Sequence, residues 1–109
     1  MINSRLKLDE ILRCVLGNQH VYFQPPESVK IHYPCIIYSL SDIDDKHANN
    51  KSYKRDYCYK VTLIHNDPDN EIVDRLMNLK YSSFNTSFSN QGLNHYVFTI
   101  KIKNEKEII

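Results

Sequence analysis

The sequence predicts an α+β protein in which two helices cover one face of a mostly antiparallel β-sheet, in the order α-β-β-β-α-β-β. Two observations carry this prediction. Apolar residues recur at helical spacing in two short segments, and other segments either alternate apolar with polar residues or are apolar on both faces, as strands do. The chain has 109 residues, which is enough for one core, so we expect residues 1–109 to form a single domain.

The first element is an amphipathic helix, predicted over about residues 5–16. Its apolar residues follow the 3, 4 and 7 spacing of one helical face: Leu8, Ile11, Leu12, Val15 and Leu16. Asn3 or Ser4 serves as a candidate cap, and Gly17 is a typical helix stop. The pattern therefore predicts one helix that buries a single face.

Three strands are predicted next. Residues 21–23 are a short β-prone run, which Pro25 and Pro26 end because proline cannot donate to a ladder. Residues 35–40 are apolar on both alternating faces, as in a central strand. Residues 54–64 alternate and predict a strand with one face in the core.

Between the second and third strands, residues 41–53 follow neither period and are rich in Asp, Asn and Ser, so we expect a long loop. Acidic residues come first and basic residues follow: Asp42, Asp44 and Asp45, then Lys51, Lys54 and Arg55. This separation of charge is a candidate contact between two copies of the chain. An ordinary solvated loop accounts for the same residues.

The second helix is predicted to begin at Asp67-Pro68, with Asp67 as N-cap and Pro68 at the first helical position, and to end near Leu79. A hairpin follows, with strands over residues 84–88 and 96–102 and a turn at 90–92. The sheet face away from the helices is then polar: Lys60, Thr62, Ser83, Asn85, Ser87, Thr99 and Lys101. Residues 103–109 are expected to be a flexible tail.

The residues that carry chemistry form no catalytic or metal-binding pattern. His65, Asp67 and Asp69 are ligand types that metals accept, but helix capping explains both carboxylates, and no other acidic or histidine cluster has the spacing to complete a shell. The five histidines are scattered, and two glycines are too few for a phosphate-binding loop. We therefore expect no enzyme activity, no metal and no cofactor.

Charge and cysteine content exclude further classes. A net charge of +1 provides no global attraction to nucleic acid or membrane, and the acidic residues near the amino terminus are wrong for a secretory signal. No apolar run reaches the roughly 20 residues of a membrane span. Cys14, Cys35 and Cys58 match neither a metal knuckle nor a disulfide framework, so we expect buried, reduced side chains in a cytoplasmic compartment.

The amino-acid sequences of several segments resemble those of one protein family. The segments are residues 22–28 (YFQPPES), 33–38 (YPCIIY), 59–64 (YKVTLI) running into Asp67-Pro68-Asp69, 79–84 (LKYSSF) and 93–98 (LNHYVF). They resemble the tail-terminator, or tail-completion, proteins of long-tailed bacteriophages and prophages of low-GC bacteria. The similarity spans about residues 6–102. Residues beyond Lys103 and the Asn49-Asn50 tip do not match the family residue by residue.

The resemblance implies a non-enzymatic virion protein, synthesised in the bacterial cytoplasm and located at the neck end of the tail. Its partners would be further copies of itself in a hexameric ring, the major tail tube protein and the head-tail connector proteins. Genome DNA would pass through the lumen without specific binding. No membrane is involved. The ring would stop tail polymerisation and join the tail to the head.

Two other functions compete with this interpretation. Neighbouring families include other head-tail connector and minor capsid components, so the position in the neck stays open. A small cytosolic nucleic-acid-binding domain is the alternative from a different class, because the polar sheet face and tyrosines near loop edges are able to contact bases: Tyr22, Tyr33, Tyr53, Tyr57 and Tyr81. Core packing explains the same tyrosines.

Overall fold

The computed structural model describes residues 2–25, 30–48, 51–66 and 71–104, with side chains over 5–25, 30–44, 56–66 and 71–102. Two helices and a five-stranded sheet follow the order α-β-β-β-α-β-β, which confirms the predicted fold class. The elements are α1 (Ile2–Leu16), β1 (Val21–Phe23), β2 (Cys35–Ala48), β3 (Lys51–His65), α2 (Glu71–Met77), β4 (Ser82–Asn90) and β5 (Leu93–Asn104).

Helix α1 places Leu8, Leu12 and Leu16 in the core, where each is nearly or completely buried. These residues are four apart and share one face, as the sequence predicts. Cys14 points away from that face and is exposed, so the expectation of a buried thiol is wrong there. The helix also begins before Asn3 and Ser4, so neither residue is its cap.

The end of α1 and its attachment to the sheet have clear causes. Gly17 adopts a φ of 81° and its amide donates to the Arg13 carbonyl at 3.0 Å, which ends the helix. The buried Tyr38 of β2 donates its hydroxyl proton to Asp9 at 2.6 Å, and Asp9 pairs with Arg13 at 2.5 Å. Burial, followed by the hydrogen bond to Asp9, raises the pKa of Tyr38. This network fixes α1 over the sheet.

The strand order in the sheet is β1-β2-β3-β5-β4. β1 runs parallel to β2, and every other neighbouring pair is antiparallel. β2 and β5 therefore run in one direction and β3 and β4 in the other. The last strand in sequence, β5, lies inside the sheet between β3 and β4, so β4 becomes an edge strand.

Both helices pack on one face of this sheet, which we call the helix face; the opposite side is the far face. The core on the helix face includes Ile36, Tyr38, Tyr59, Val61, Leu63, Leu76, Phe98 and Ile100, each at most 2% exposed. Leu76 is the buried residue of α2. Three of these residues, Tyr59, Val61 and Leu63, alternate along β3, the central strand of the sheet.

The long loop predicted over residues 41–53 is wrong. Residues 41–48 continue β2 and residues 51–53 already belong to β3, and the two strands pair almost to their tips, with Ala48 opposite Lys51. A register shift between Leu40 and Asp42 leaves Ser41 as a bulge, which breaks the alternation of apolar and polar residues. We call residues 41–48 and 51–56 the arm. The predicted tail likewise begins too early, because β5 extends to Asn104.

The hairpin of β4 and β5 confirms the prediction. Gln91 and Gly92 have φ values of 52° and 79°, the left-handed geometry that a tight hairpin turn requires. A second bulge lies between Phe84 and Thr86. It shifts the alternation, so Ser87 lies opposite Tyr96 on the helix face and not on the polar far face as predicted.

Candidate assembly interface

Strand β4 forms an exposed edge of the sheet. Among the described residues it pairs with β5 alone, and residues 83–90 are all exposed. On the helix face, Phe84 is 45% exposed and its ring meets the buried Phe98 edge-on at 5.4 Å. On the far face, the half-exposed Phe88 stacks on His95 with ring centroids 4.6 Å apart. This edge therefore presents aromatic side chains together with backbone hydrogen-bonding groups.

The opposite side of the sheet has a second open edge. β1 is short and pairs with β2 only from Ile36 to Tyr38, extended by a hydrogen bond of 3.0 Å from the Gln24 amide to the Tyr38 carbonyl. Beyond this point, no segment that the structure describes pairs with the outer side of residues 39–48. Ile43 lies on this stretch, opposite Tyr57 on the helix face, and is 42% exposed.

The charged residues predicted as a contact lie on the two paired strands of the arm. Asp42 and Asp44 are on the far face, opposite Cys58 and Asp56. The Cα of the next residue, Asp45, lies opposite that of Arg55 of the same chain. Lys51 and Lys54 take register positions opposite Ala48 and Lys46. Each of these residues therefore has a register partner within its own chain.

Asp44 has a cationic neighbour within its own chain. Its carboxylate lies 4.0 Å from the Lys101 ammonium of β5, and both side chains are partly exposed. A pair of this kind in solvent contributes little to stability. The intersubunit contact assigned to Asp44 therefore has an intrachain competitor that the sequence does not reveal.

Asp56 is a feature that sequence reasoning misses. It is 2% exposed, and its Oδ1 is buried without a hydrogen-bond partner in the described part of the chain. Burial raises the pKa of the neighbouring Cys58 thiol; Lys101 opposes this shift, and Asp42, Asp44 and Asp56 add to it. Asp56 escapes sequence analysis because it ends a run of polar residues that looks solvated.

Exposed apolar and aromatic residues are spread over the surface: Leu6, Tyr33, Ile43, Met77, Tyr81, Phe84 and Phe88. Three of them, Ile43, Phe84 and Phe88, lie on the two open edges. The tyrosines that are candidates for base stacking differ in exposure. Tyr57 is buried in the core, whereas Tyr33 and Tyr81 are exposed.

The candidate metal and cap residues give no site in the described part of the chain. Asp67 and Pro68 lie outside the described residues, as does Asp69. Among the residues that are described, no group of three or more His, Cys, Asp or Glu side chains is placed to hold a metal ion. Neither described helix is long and apolar enough to span a membrane.

In comparisons with known proteins, no protein-family model and no curated protein matches the chain. The fold defines a class, an α+β domain with both helices on one face of a five-stranded sheet. The arrangement of its two open edges is the property from which a function is best argued.

Proposed function

We propose that this chain is a structural protein of a long-tailed phage virion, a tail terminator. Copies of the chain form a ring at the head-proximal end of the tail tube, stop its polymerisation and join it to the head connector. The partners are the chain itself, the tail tube protein and the connector, with genome DNA passing through the lumen. The resemblance of residues 6–102 to tail terminators supports this proposal, as does the order of helices and strands.

One observation carries the proposal: the sheet has two unlike open edges on opposite sides, β4 on one and the outer side of residues 39–48 on the other. A cyclic ring requires contacts between two different patches on every subunit, whereas a twofold dimer uses the same patch twice. A chain with two unlike edges meets this requirement without rearrangement.

The test is an infection in which this gene is deleted. The proposal predicts filled heads accompanied by overlong or unattached tails in negative-stain micrographs, because nothing stops or caps the tube. Complementation with the wild-type chain should restore joined particles. Tails of normal length that are already joined to heads in the deletion lysate would contradict the proposal. Tails of normal length that stay unattached would instead favour a head-tail connector.

A further inference from the structure

The direction of the strands determines how two copies can extend one sheet. From β2 through β3 and β5 to β4, the strands alternate strictly in direction, and β4 runs opposite to β2. When β4 of one copy lies beside β2 of the next, the two strands are antiparallel, and the alternation continues across the boundary. Antiparallel pairing is the more stable ladder per residue. The same contact repeats on every copy, because it joins two different edges.

Each edge is long enough for this pairing, and β4 lacks the charged residues and proline that protect many edge strands. β4 has nine residues, and the free outer side of β2 has ten, residues 39–48. Edge strands commonly carry charged residues or proline, which block pairing with other chains. β4 contains neither, since its sequence is SSFNTSFSN. Its composition favours an edge that is paired in the functional state.

The bulges select a register. If Phe84 lies opposite Ile43 of the next copy, both half-exposed side chains fall on the helix face. Beyond this pair, Asn85 in β4 and Ser41 in β2 are bulged residues, so each is left without a partner across the boundary. The following pairs then also share faces: Thr86 with Asp42, Ser87 with Leu40, and Phe88 with Ser39. A shift by one residue would place Phe84 opposite a far-face position.

We propose that β4 of one copy pairs antiparallel with residues 39–45 of β2 of the next copy, with Phe84 opposite Ile43. The occupant of each edge is thus a second copy of this chain. The inference rests on the proposed ring and specifies its subunit contact. The pairing satisfies backbone donors and acceptors along both edges and buries two apolar side chains that the single chain leaves half exposed.

The test uses disulfide formation between two variants that each carry one introduced cysteine, Phe84→Cys and Ile43→Cys, in a Cys14→Ser background because Cys14 is the exposed native thiol; Cys35 and Cys58 are buried. Mixing the two variants under mild oxidation should give a disulfide dimer that contains one chain of each. Ser83→Cys mixed with Ile43→Cys is the matched control, since Ser83 lies on the far face. We expect at least tenfold less dimer from the control.

Other outcomes would overturn the pairing in distinguishable ways. Dimers from Phe84→Cys alone would show that β4 pairs with β4 of another copy. A sample that has the mass of a ring but forms no cross-link would reject the edge contact and leave the proposed function standing. A chain that remains a monomer at its highest soluble concentration would reject the edge contact, and the deletion lysate would decide the function separately.

If either variant fails to fold, as judged by circular dichroism, the pair Ser87→Cys and Leu40→Cys replaces it. These residues are also opposite each other in the proposed register, and they lie on the helix face, away from Cys35 and Cys58 on the far face. A mixed dimer supports the register, and its absence from an assembled sample contradicts it.

Discussion

β2 and β3 each contain two regions that differ in burial: the arm, and the part that lies under the helices, which together with the helices we call the body. In the body, residues such as Ile36 and Leu63 are fully buried under the helices and supply the apolar burial that stabilises the fold. In the arm, the sequence is mostly polar, and the strands are held by pairing with each other and, for residues 55 and 56, with β5. The comparison teaches that core burial and edge exposure are separable properties of one sheet, so each can be changed without the other.

The largest expected effect is on the body. Leu12→Ala removes a fully buried side chain of α1 and leaves a cavity, so the free energy of unfolding should fall by about 2 to 5 kcal/mol. Urea denaturation measures this loss. A change below about 1 kcal/mol would show that the body does not carry the stability and would break the comparison.

The next prediction concerns the edge. Phe84→Lys should abolish assembly, because a lysine on an edge strand blocks pairing with another chain. The free energy of unfolding should fall by only about 1 kcal/mol, since Phe84 is half exposed and loses mainly its contact with Phe98. Native mass spectrometry and urea denaturation measure the two effects.

Met77→Lys is the matched control for this change. Met77 lies on α2 and is 52% exposed, so the variant loses a similarly exposed apolar side chain that belongs to neither edge strand. It should assemble as the wild type does and should rescue the deletion phage, whereas Phe84→Lys should not. If both lysine variants assemble equally well, β4 is not part of the contact between copies.

A pH experiment sharpens the description of the body. Burial raises the pKa of Cys35 from 9.0 to about 11. The folded chain holds this proton more tightly than the unfolded chain. The contribution of this thiol to the free energy of unfolding is therefore fully present below pH 9 and is lost as the pH rises from 9 to 11, at about 1.4 kcal/mol per pH unit. Cys35→Ala should lack this loss. Urea denaturation at pH 8 and pH 10 measures the free energy of unfolding of the wild type and of Cys35→Ala. An equal change between the two pH values in both proteins would show that the thiol is not buried.

The smallest expected effect is electrostatic. Asp45→Lys should slow ring assembly and leave the chain folded, because rim charges act mainly on association rate and contribute less than about 1 kcal/mol. If Lys54 and Arg55 of one copy meet Asp45 of the next, adding Lys54→Glu and Arg55→Glu should restore assembly in part, more visibly at low salt. Because Arg55 is also the register partner of Asp45 within one chain, unfolding of each variant is measured as well, and the rescue must exceed any change in stability. Stopped-flow light scattering follows the rate. If the combined variant assembles no faster than Asp45→Lys alone, these charges make no contact between copies.

The sequence predicts the body better than the arm for a physical reason. In α1 and in β5, a single periodicity coincides with burial, so apolar spacing reveals both the element and its buried face. In residues 41–53, Ile43 is the only large aliphatic side chain, and the bulge at Ser41 breaks the alternation. Pairing between polar strands leaves no apolar pattern to detect.

The site was predicted only in part, because strand order is a tertiary property. The sequence identifies the charges of the arm but not that Asp44 lies 4.0 Å from Lys101 of the same chain. The hairpin of β4 and β5 is readable from its turn, yet nothing in the sequence tells that β5 takes the inner position and leaves β4 at the edge. The open edges, on which the proposed function depends, therefore become visible only in the folded chain.

Hydrogen–deuterium exchange tests the central claim, head-to-tail pairing of unlike edges, most directly. The wild-type chain is compared at assembling concentration with the Phe84→Lys variant, which we expect to stay monomeric. The account predicts that assembly slows exchange in two separate segments, residues 82–88 and residues 39–45, while core amides of β3 change little. Slowing confined to residues 82–88, or absent from both segments in an assembled sample, would contradict it.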